Sequence, residues 1–299
     1  MKILIAGGSG LIGSYLTTYL IEKGHEIAHL SRSGGRSSVK TYLWDPLHKY
    51  LDAESISNSD FIINLAGAGI ADKRWDASYK NELYNSRIGG TAFLFEKLKE
   101  IPNNVKGVVS ASAAGFYGNI NNETAYEEMA NSHDFLGKMC FDWEKESEKI
   151  KSLNKRVIIL RFAGMVLSSK GGGLPKMALP VKYFFGSPVC NGKHFTSWVH
   201  IEDVCRFIDN AISDIKIEGT FNLVAPQHVT NKEMTKLLGK VLNRPVIIPY
   251  GPMIILKCMF GEFGNYLNHS AKLSSKKILE TGFTFKYNDI EQALRAIYL

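Results

Sequence analysis

The chain has 299 residues, of which 45% are hydrophobic and 22% charged, and its formal net charge is +7. That length buries a sizeable core, the composition is that of an ordinary globular protein, and the positive balance suits anionic ligands such as nucleotides and phosphorylated sugars. It excludes a nucleic-acid-binding stripe, because Lys and Arg are scattered and the densest spot, KLSSKK at 272–277, is short and interrupted.

In chain order, KILIAGG is a β-rich apolar run that ends at glycine, as a buried parallel strand does. Lys2 leads directly into it, so no secretory signal is expected. SGLIGSYLTTYLIEKGH has helical spacing, with Leu11, Tyr15, Leu16, Tyr19 and Leu20 on one side and Gly24 as the stop. Further strands are predicted at EIAHL (26–30), TYLW (41–44), DFIINLAG (60–67), VKGVVSAS (105–112) and KRVIILRF (155–162), with long helices over roughly 76–101 and 132–152. Alternating strands and helices predict an α/β fold, a Rossmann-type doubly wound parallel sheet occupying residues 1–165.

After about residue 165 the texture changes. SSKGGGLP (168–175) reads as a loop, GTFNLVA (219–225) as a strand and NKEMTKLLGKVL (231–242) as a helix. Residues 166–299 are expected to form a smaller substrate-side lobe interleaved with the end of the sheet. The apolar run PMIILKCMF (252–260) is too short to span a bilayer and carries Lys257, so no membrane partner is expected. Cys140, Cys190, Cys205 and Cys258 show no C-x-x-C pair and no zinc spacing. They read as reduced thiols of a cytoplasmic protein, with no metal site.

Gly7, Gly8, Ser9, Gly10, Leu11, Ile12 and Gly13 lie between the first strand and the first helix. A backbone without Cβ lets a diphosphate approach, and the helix N-terminus offers it free N–H groups and a positive dipole end. This strand–turn–helix context predicts a dinucleotide cofactor. The second strand ends in LSRSGGR, placing Ser31, Arg32 and Arg36 where an NAD binder carries a carboxylate for the ribose hydroxyls. Arginine grips a phosphate bidentately, so NADP(H) is favoured over NAD(H).

NLAGAG (64–69) and SASAAGFYG (110–118), with the glycine loop, make the chain resemble the extended short-chain dehydrogenase/reductases, the group of nucleotide-sugar epimerases and dehydratases. RWDASYKNELYNSRIGGT (74–91), FLGKMCFDWEKE (135–146), GGGLPKM (171–177), SWVHIEDV (197–204) and KILETGFTFKYNDIEQAL (277–294) resemble, more closely, an uncharacterised epimerase-like subfamily with a C-terminal module of unknown function, here about 247–299. The resemblance implies cofactor contacts at Ala66, Gly67 and Ala68 and a catalytic set of Ser, Asn, Tyr and Lys. Ser112 matches the serine, but Arg87 stands at the asparagine position, and Cys140 and Glu144 stand at the Tyr-x-x-x-Lys positions. The literal Tyr-x-x-x-Lys, Tyr19 to Lys23, falls by chance in the first helix.

Replacement acid–base groups are therefore sought among Ser112, Tyr117, Cys140 and Glu144. Tyr117 is a phenol just after a strand, at the carboxyl edge where α/β proteins bind ligands; Cys140 is either a thiol acid or a small core residue, and Glu144 either a base or a solvated helix residue. Trp75, Lys80, Arg87, Arg161, Lys176 and Trp198 are candidate contacts to a small polar or phosphorylated substrate, the cations for its charge and the indoles as flat platforms. His200 reads as a structural strand-end histidine. Two functions follow: an NADP(H)-dependent oxidoreductase or nucleotide-sugar epimerase-like enzyme with an atypical active site, or a catalytically inert NADP(H)-binding redox sensor or regulator. A homodimer is left open.

Overall fold

A computed structural model describes residues 1–32, 39–121, 123–251 and 253–299, the side chains of Ile255 and Met259 excepted. In chain order these form β1 (Lys2–Ala6), α1 (Leu11–Glu22), β2 (Glu26–Ser31), β3 (Lys40–Asp45), β4 (Tyr50–Leu51), α2 (Ala53–Ser57), β5 (Phe61–Asn64), α3 (Ala77–Glu100) and β6 (Gly107–Ala113). A 3₁₀ turn at Ala114–Tyr117 leads to β7 (Thr124–Ala125), α4 (Phe135–Glu148), β8 (Arg156–Phe162), β9 (Met165–Leu167) and α5 (Gly173–Lys182). Then come β10 (Phe195–Thr196), β11 (Trp198–His200), α6 (Ile201–Ser213), β12 (Gly219–Leu223), β13 (Val229–Thr230) and α7 (Asn231–Val241). The chain closes with α8 (Met253–Phe260), α9 (Phe263–Tyr266), β14 (Lys272–Leu273), α10 (Lys276–Glu280) and α11 (Ile290–Tyr298).

The main sheet has eight strands in the order β12-β8-β6-β5-β1-β2-β3-β4, every pair parallel except β3 with β4. Side chains alternate between its faces, and both faces are buried. Ile3, Ile5, Phe61 and Ile63 meet Leu16 and Leu20 of α1 and Phe207 and Ile208 of α6 on one side. Leu4 and Ile62 meet Phe93, Leu94 and Leu98 of α3 on the other. This is the doubly wound sheet that the alternating segments predict. From β1 the sheet grows one way through β2 and the other through β5, so the crevice at their carboxyl ends is the topological switch point, where ligands of such folds bind.

β12, far along the chain, joins the sheet at the edge beside β8. A separate core holds Leu174, Ala178, Trp198, Met234, Leu238 and Ile290 together. The segment 168–175 is not all loop: α5 begins at Gly173, with Pro175 in its first turn, where a missing N–H is tolerated. The run at 252–260 provides α8. Among the described residues no helix is long and apolar enough to cross a membrane.

Candidate functional site

At the switch point the chain turns from β1 into α1 with Gly7 at φ 83°, and the Gly10 N–H closes the turn on the Gly7 carbonyl at 3.0 Å. A Cβ on Gly7 would stand 2.8 Å from the Leu65 backbone, and one on Gly13 would stand 2.3 Å from the Gly7 oxygen. Glycine is thus required both for the turn and for the close seating of helix on loop. α1 starts at Gly10 with no side-chain cap and no acidic residue in its first turn. Its N-terminal end is left with donors and a positive dipole, and Ser9 and Gly10 are exposed there. Leu11 and Ile12 are half-buried, and Leu11 faces the backbone of Gly171 and Gly172 before α5. Below the loop the buried His29 ring bonds Thr17 Oγ1 at 2.8 Å, and burial lowers its pKa, favouring the neutral ring.

Ser31 and Arg32 stand at the end of β2, the first half-buried and the second exposed; Arg36 lies outside the described residues. Ala66, Gly67 and Ala68 follow β5 across the crevice, and the Ala66 N–H donates to Asn64 Oδ1 at 3.3 Å. A glycine cradle that any side chain would fill, an uncapped helix N-terminus and a carboxylate-free second strand end fit a dinucleotide diphosphate and ribose.

The catalytic candidates gather under the other end of the crevice, in a buried network. Register places Ser112 of β6 beside Arg161 of β8, and Arg161 beside Asn222 of β12. α4 lies across this row with Cys140, Glu144 and Ser147 on its buried side. Arg161 donates from Nε to Glu144 Oε1 and from Nη2 to Glu144 Oε2, both at 2.8 Å. Ser112 Oγ donates to the same carboxylate at 2.5 Å. Arg161 Nη1 donates to the Tyr117 hydroxyl at 2.7 Å and to the Glu127 carbonyl at 2.9 Å. Tyr117 in turn donates to Asn222 Oδ1 at 2.7 Å, and the Asn222 N–H donates to Glu127 Oε1 at 2.8 Å. The guanidinium also lies 3.5 Å from the Phe116 ring centroid.

Electrostatics follow from this arrangement. Burial opposes the Arg161 cation, yet hydrogen bonding and charge attraction from Glu144 raise its pKa overall, so the guanidinium stays charged. Burial pushes the Tyr117 phenol up to about 12 even though Arg161 pulls it down. The Cys140 thiol, 1% exposed, is pushed up to about 12 by burial first and by the Glu144 charge second. The thiol is therefore neutral and enclosed, and Glu144, whose carboxylate was a candidate base, is occupied by three donors.

Among the substrate candidates, Arg161 is inside this network rather than at the crevice. Trp198 is also fully buried, its indole N–H donating to the Gln227 carbonyl at 2.9 Å, so it packs the second core instead of offering a platform. Trp75, Lys80 and Lys176 come together around the C-terminal module. The Trp75 ring, 4% exposed, lies 5.1 Å from Phe263 and 5.5 Å from Phe135. Lys80 pairs with Glu262 at 3.0 Å, and Lys176 donates to the Ala71 carbonyl at 3.3 Å. Arg87 of α3 is half-buried beside Gly67; it donates to the Ala68 carbonyl at 2.9 Å and the Leu83 carbonyl at 3.1 Å, over the Trp143 ring. Burial lowers its pKa, and no carboxylate is paired with it among the described residues. His200 caps α6 by accepting from the Glu202 N–H at 3.2 Å, and burial lowers its pKa to about 4.

Asn222 and Glu127 escaped the sequence reading. No motif marks either one, and only the register of three strands brings Asn222 to Tyr117.

A model of the NAD dependent epimerase/dehydratase family matches residues 3–224, and a domain of unknown function, DUF1731, matches residues 252–297. The epimerase family protein YfhF of Bacillus subtilis is 34% identical over 300 residues, covering 98% of this chain and 97% of its own. The crystal structure of human epimerase family protein SDR39U1 (isoform 2) with NADPH superimposes with a TM-score of 0.91 at 28% identity, covering 100% of this chain and 99% of that one. A Thermus thermophilus UDP-glucose 4-epimerase in complex with NAD shares the fold, with a TM-score of 0.79 at 18% identity over 100% of this chain and 98% of that one. With its glycine cradle at the switch point and its matched C-terminal module, the chain belongs to the NAD dependent epimerase/dehydratase family as an NAD(P)-binding, epimerase-like member.

Proposed function

We propose that the protein binds NADP(H) in preference to NAD(H) and acts as a cofactor-binding sensor or regulator rather than as a nucleotide-sugar epimerase. The observation that carries this reading is the closed network at the family's acid–base positions. Ser112, Tyr117 and Glu144 each spend their polar atoms on one another, on Arg161 or on Asn222, and Cys140 is enclosed. A bound nicotinamide supplies hydride chemistry, but a sugar hydroxyl also needs a nearby group that exchanges its proton near neutral pH. A phenol and a thiol both held near 12, and a carboxylate tied to arginine, do not provide one. The preference for NADP(H) is supported by Ser31 and Arg32 at the end of β2, where a carboxylate would repel the 2′-phosphate.

A second reading, reduction of a small anionic substrate, is favoured by Arg87. A half-buried cation beside Gly67, hydrogen-bonded only to carbonyls among the described residues, is suited to a phosphate or carboxylate. Titration with NADPH and NADH, followed by nicotinamide fluorescence and then a panel of carbonyl compounds and nucleotide sugars, separates the two. Tight NADPH binding with an inert nicotinamide supports the sensor. Oxidation by a panel member, with its KM raised in Arg87→Ala, supports the reductase. Failure to bind either dinucleotide overturns both.

A further inference from the structure

The end of α5 and the segment before α8 both expose large apolar side chains. Tyr183, Phe184 and Phe185 follow α5, and Ile247 and Tyr250 follow α7; each is more than half exposed, Phe184 least at 53% and Ile247 most at 75%. The two segments run side by side, because the Gly251 N–H donates to the Pro188 carbonyl at 2.7 Å and Arg244 lies 5.1 Å over the Phe184 ring. Leu179, one turn before Tyr183, is exposed too, as is Ile254 at the start of α8. Exposed aromatic and aliphatic side chains in one contiguous patch mark a surface that meets something other than water.

Charge identifies the occupant. No Asp or Glu occurs between residues 149 and 201 or between 234 and 261, the stretches that supply the whole patch. Lys176, Lys182, Arg244 and Lys257 lie in those stretches, and none is in an ion pair among the described residues. The acids that bound these stretches are engaged elsewhere: Glu148, Glu202 and Glu262 pair with Lys151, Lys286 and Lys80, and Glu233 accepts from Thr230. A second copy docking by this patch would bring two cationic rims together, at a like-charge cost. An anionic surface with an apolar interior matches both parts, with aromatic side chains at headgroup depth and cations among the phosphates.

We propose that this patch docks the protein on an anionic lipid bilayer surface. Hydropathy weighs spanning, which is why the sequence leads to an expectation of no membrane partner; surface docking uses side chains too few and too dispersed along the chain to register there.

The test is co-sedimentation of the full chain with vesicles of phosphatidylcholine alone and of an equal mixture of phosphatidylcholine and phosphatidylglycerol. Binding is expected to the mixed vesicles only, and raised salt should weaken it. Phe184→Ser with Phe185→Ser, and separately Lys182→Glu with Lys257→Glu, should each lower binding by more than about tenfold, since each lysine near the surface contributes about fivefold. All four substituted positions are exposed, so an unchanged thermal midpoint serves as the folding control. The proposal is overturned by no binding to the mixed vesicles, by binding that survives both double substitutions, or by a dimer in sedimentation velocity that the phenylalanine substitutions dissociate. The last outcome would make a second copy the occupant.

Discussion

Arg161 and Glu144 join β8 to α4 through two parallel hydrogen bonds of 2.8 Å, with their side chains only 5% and 10% exposed. The carboxylate occupies the helix position at which the wider family carries its lysine. A buried ion of either sign is costly alone, so each residue makes the other obligatory. The pair also fixes the neighbouring hydroxyls, because Ser112 donates to one partner and Tyr117 accepts from the other.

Breaking the pair from one side should therefore be severe. Arg161→Met leaves a buried carboxylate with no counter-charge and should destabilise the fold by about 3–5 kcal/mol, whereas Arg161→Met with Glu144→Leu should recover much of that loss. Urea midpoints at unchanged m-value measure it. A single substitution that costs under about 1 kcal/mol would show that the pair is not the anchor of this seam.

Stability should fall as the solution is acidified below neutrality. The folded pKa of His200 is depressed to about 4 by burial, below its ordinary 6.5, so the unfolded chain binds more protons between those values. Its contribution is complete above 6.5 and is lost as pH falls toward 4, amounting to roughly 3 kcal/mol. His29 and His194 are lowered in the same direction, also by burial. His200→Asn keeps an N-cap for α6 and should flatten the pH dependence of the midpoint in that window; an unchanged slope would assign it to other groups.

The glycine cradle should be intolerant of a single methyl group. Gly13→Ala sets a Cβ 2.3 Å from the Gly7 carbonyl, which forces helix and loop apart. NADPH affinity should drop by more than about tenfold, a change of about 1.4 kcal/mol, while circular dichroism stays native. Arg32→Ala should weaken NADPH by a similar factor and leave NADH unaffected; equal losses for the two cofactors would remove Arg32 from 2′-phosphate recognition.

Cysteine chemistry should separate the enclosed thiol from the exposed one. Cys258 is exposed, whereas Cys140 is buried with its pKa near 12. Iodoacetamide at mildly alkaline pH should modify Cys258 in the native protein and reach Cys140 only after unfolding, as followed by peptide mass spectrometry. Rapid native modification of Cys140 would reopen it as an acid–base group.

The β1–glycine–α1 unit and the strands at 26–31, 40–45, 61–64 and 107–113 were legible because their signals are local: apolar alternation or runs, a glycine at the turn, a helical stripe. The switch point follows from the same alternation, so the crevice at the carboxyl ends of β1, β2 and β5 could be placed from the chain alone. The absence of Tyr-x-x-x-Lys was legible too, being a matter of which residues stand at 140 and 144. What replaces it was not. Ser112, Arg161 and Asn222 are brought into one row by the parallel register of β6, β8 and β12, and Glu144 meets them because α4 packs across that row. The bonds of this network join residues from 17 (Glu144 with Arg161) to 105 (Tyr117 with Asn222) positions apart in sequence. Periodicity says which face of an element is buried; it carries no term for which polar groups will meet there. Trp198 and Arg161, read as substrate contacts from their residue types, were enclosed by that same packing, because burial is a property of the assembled layers and not of the side chain.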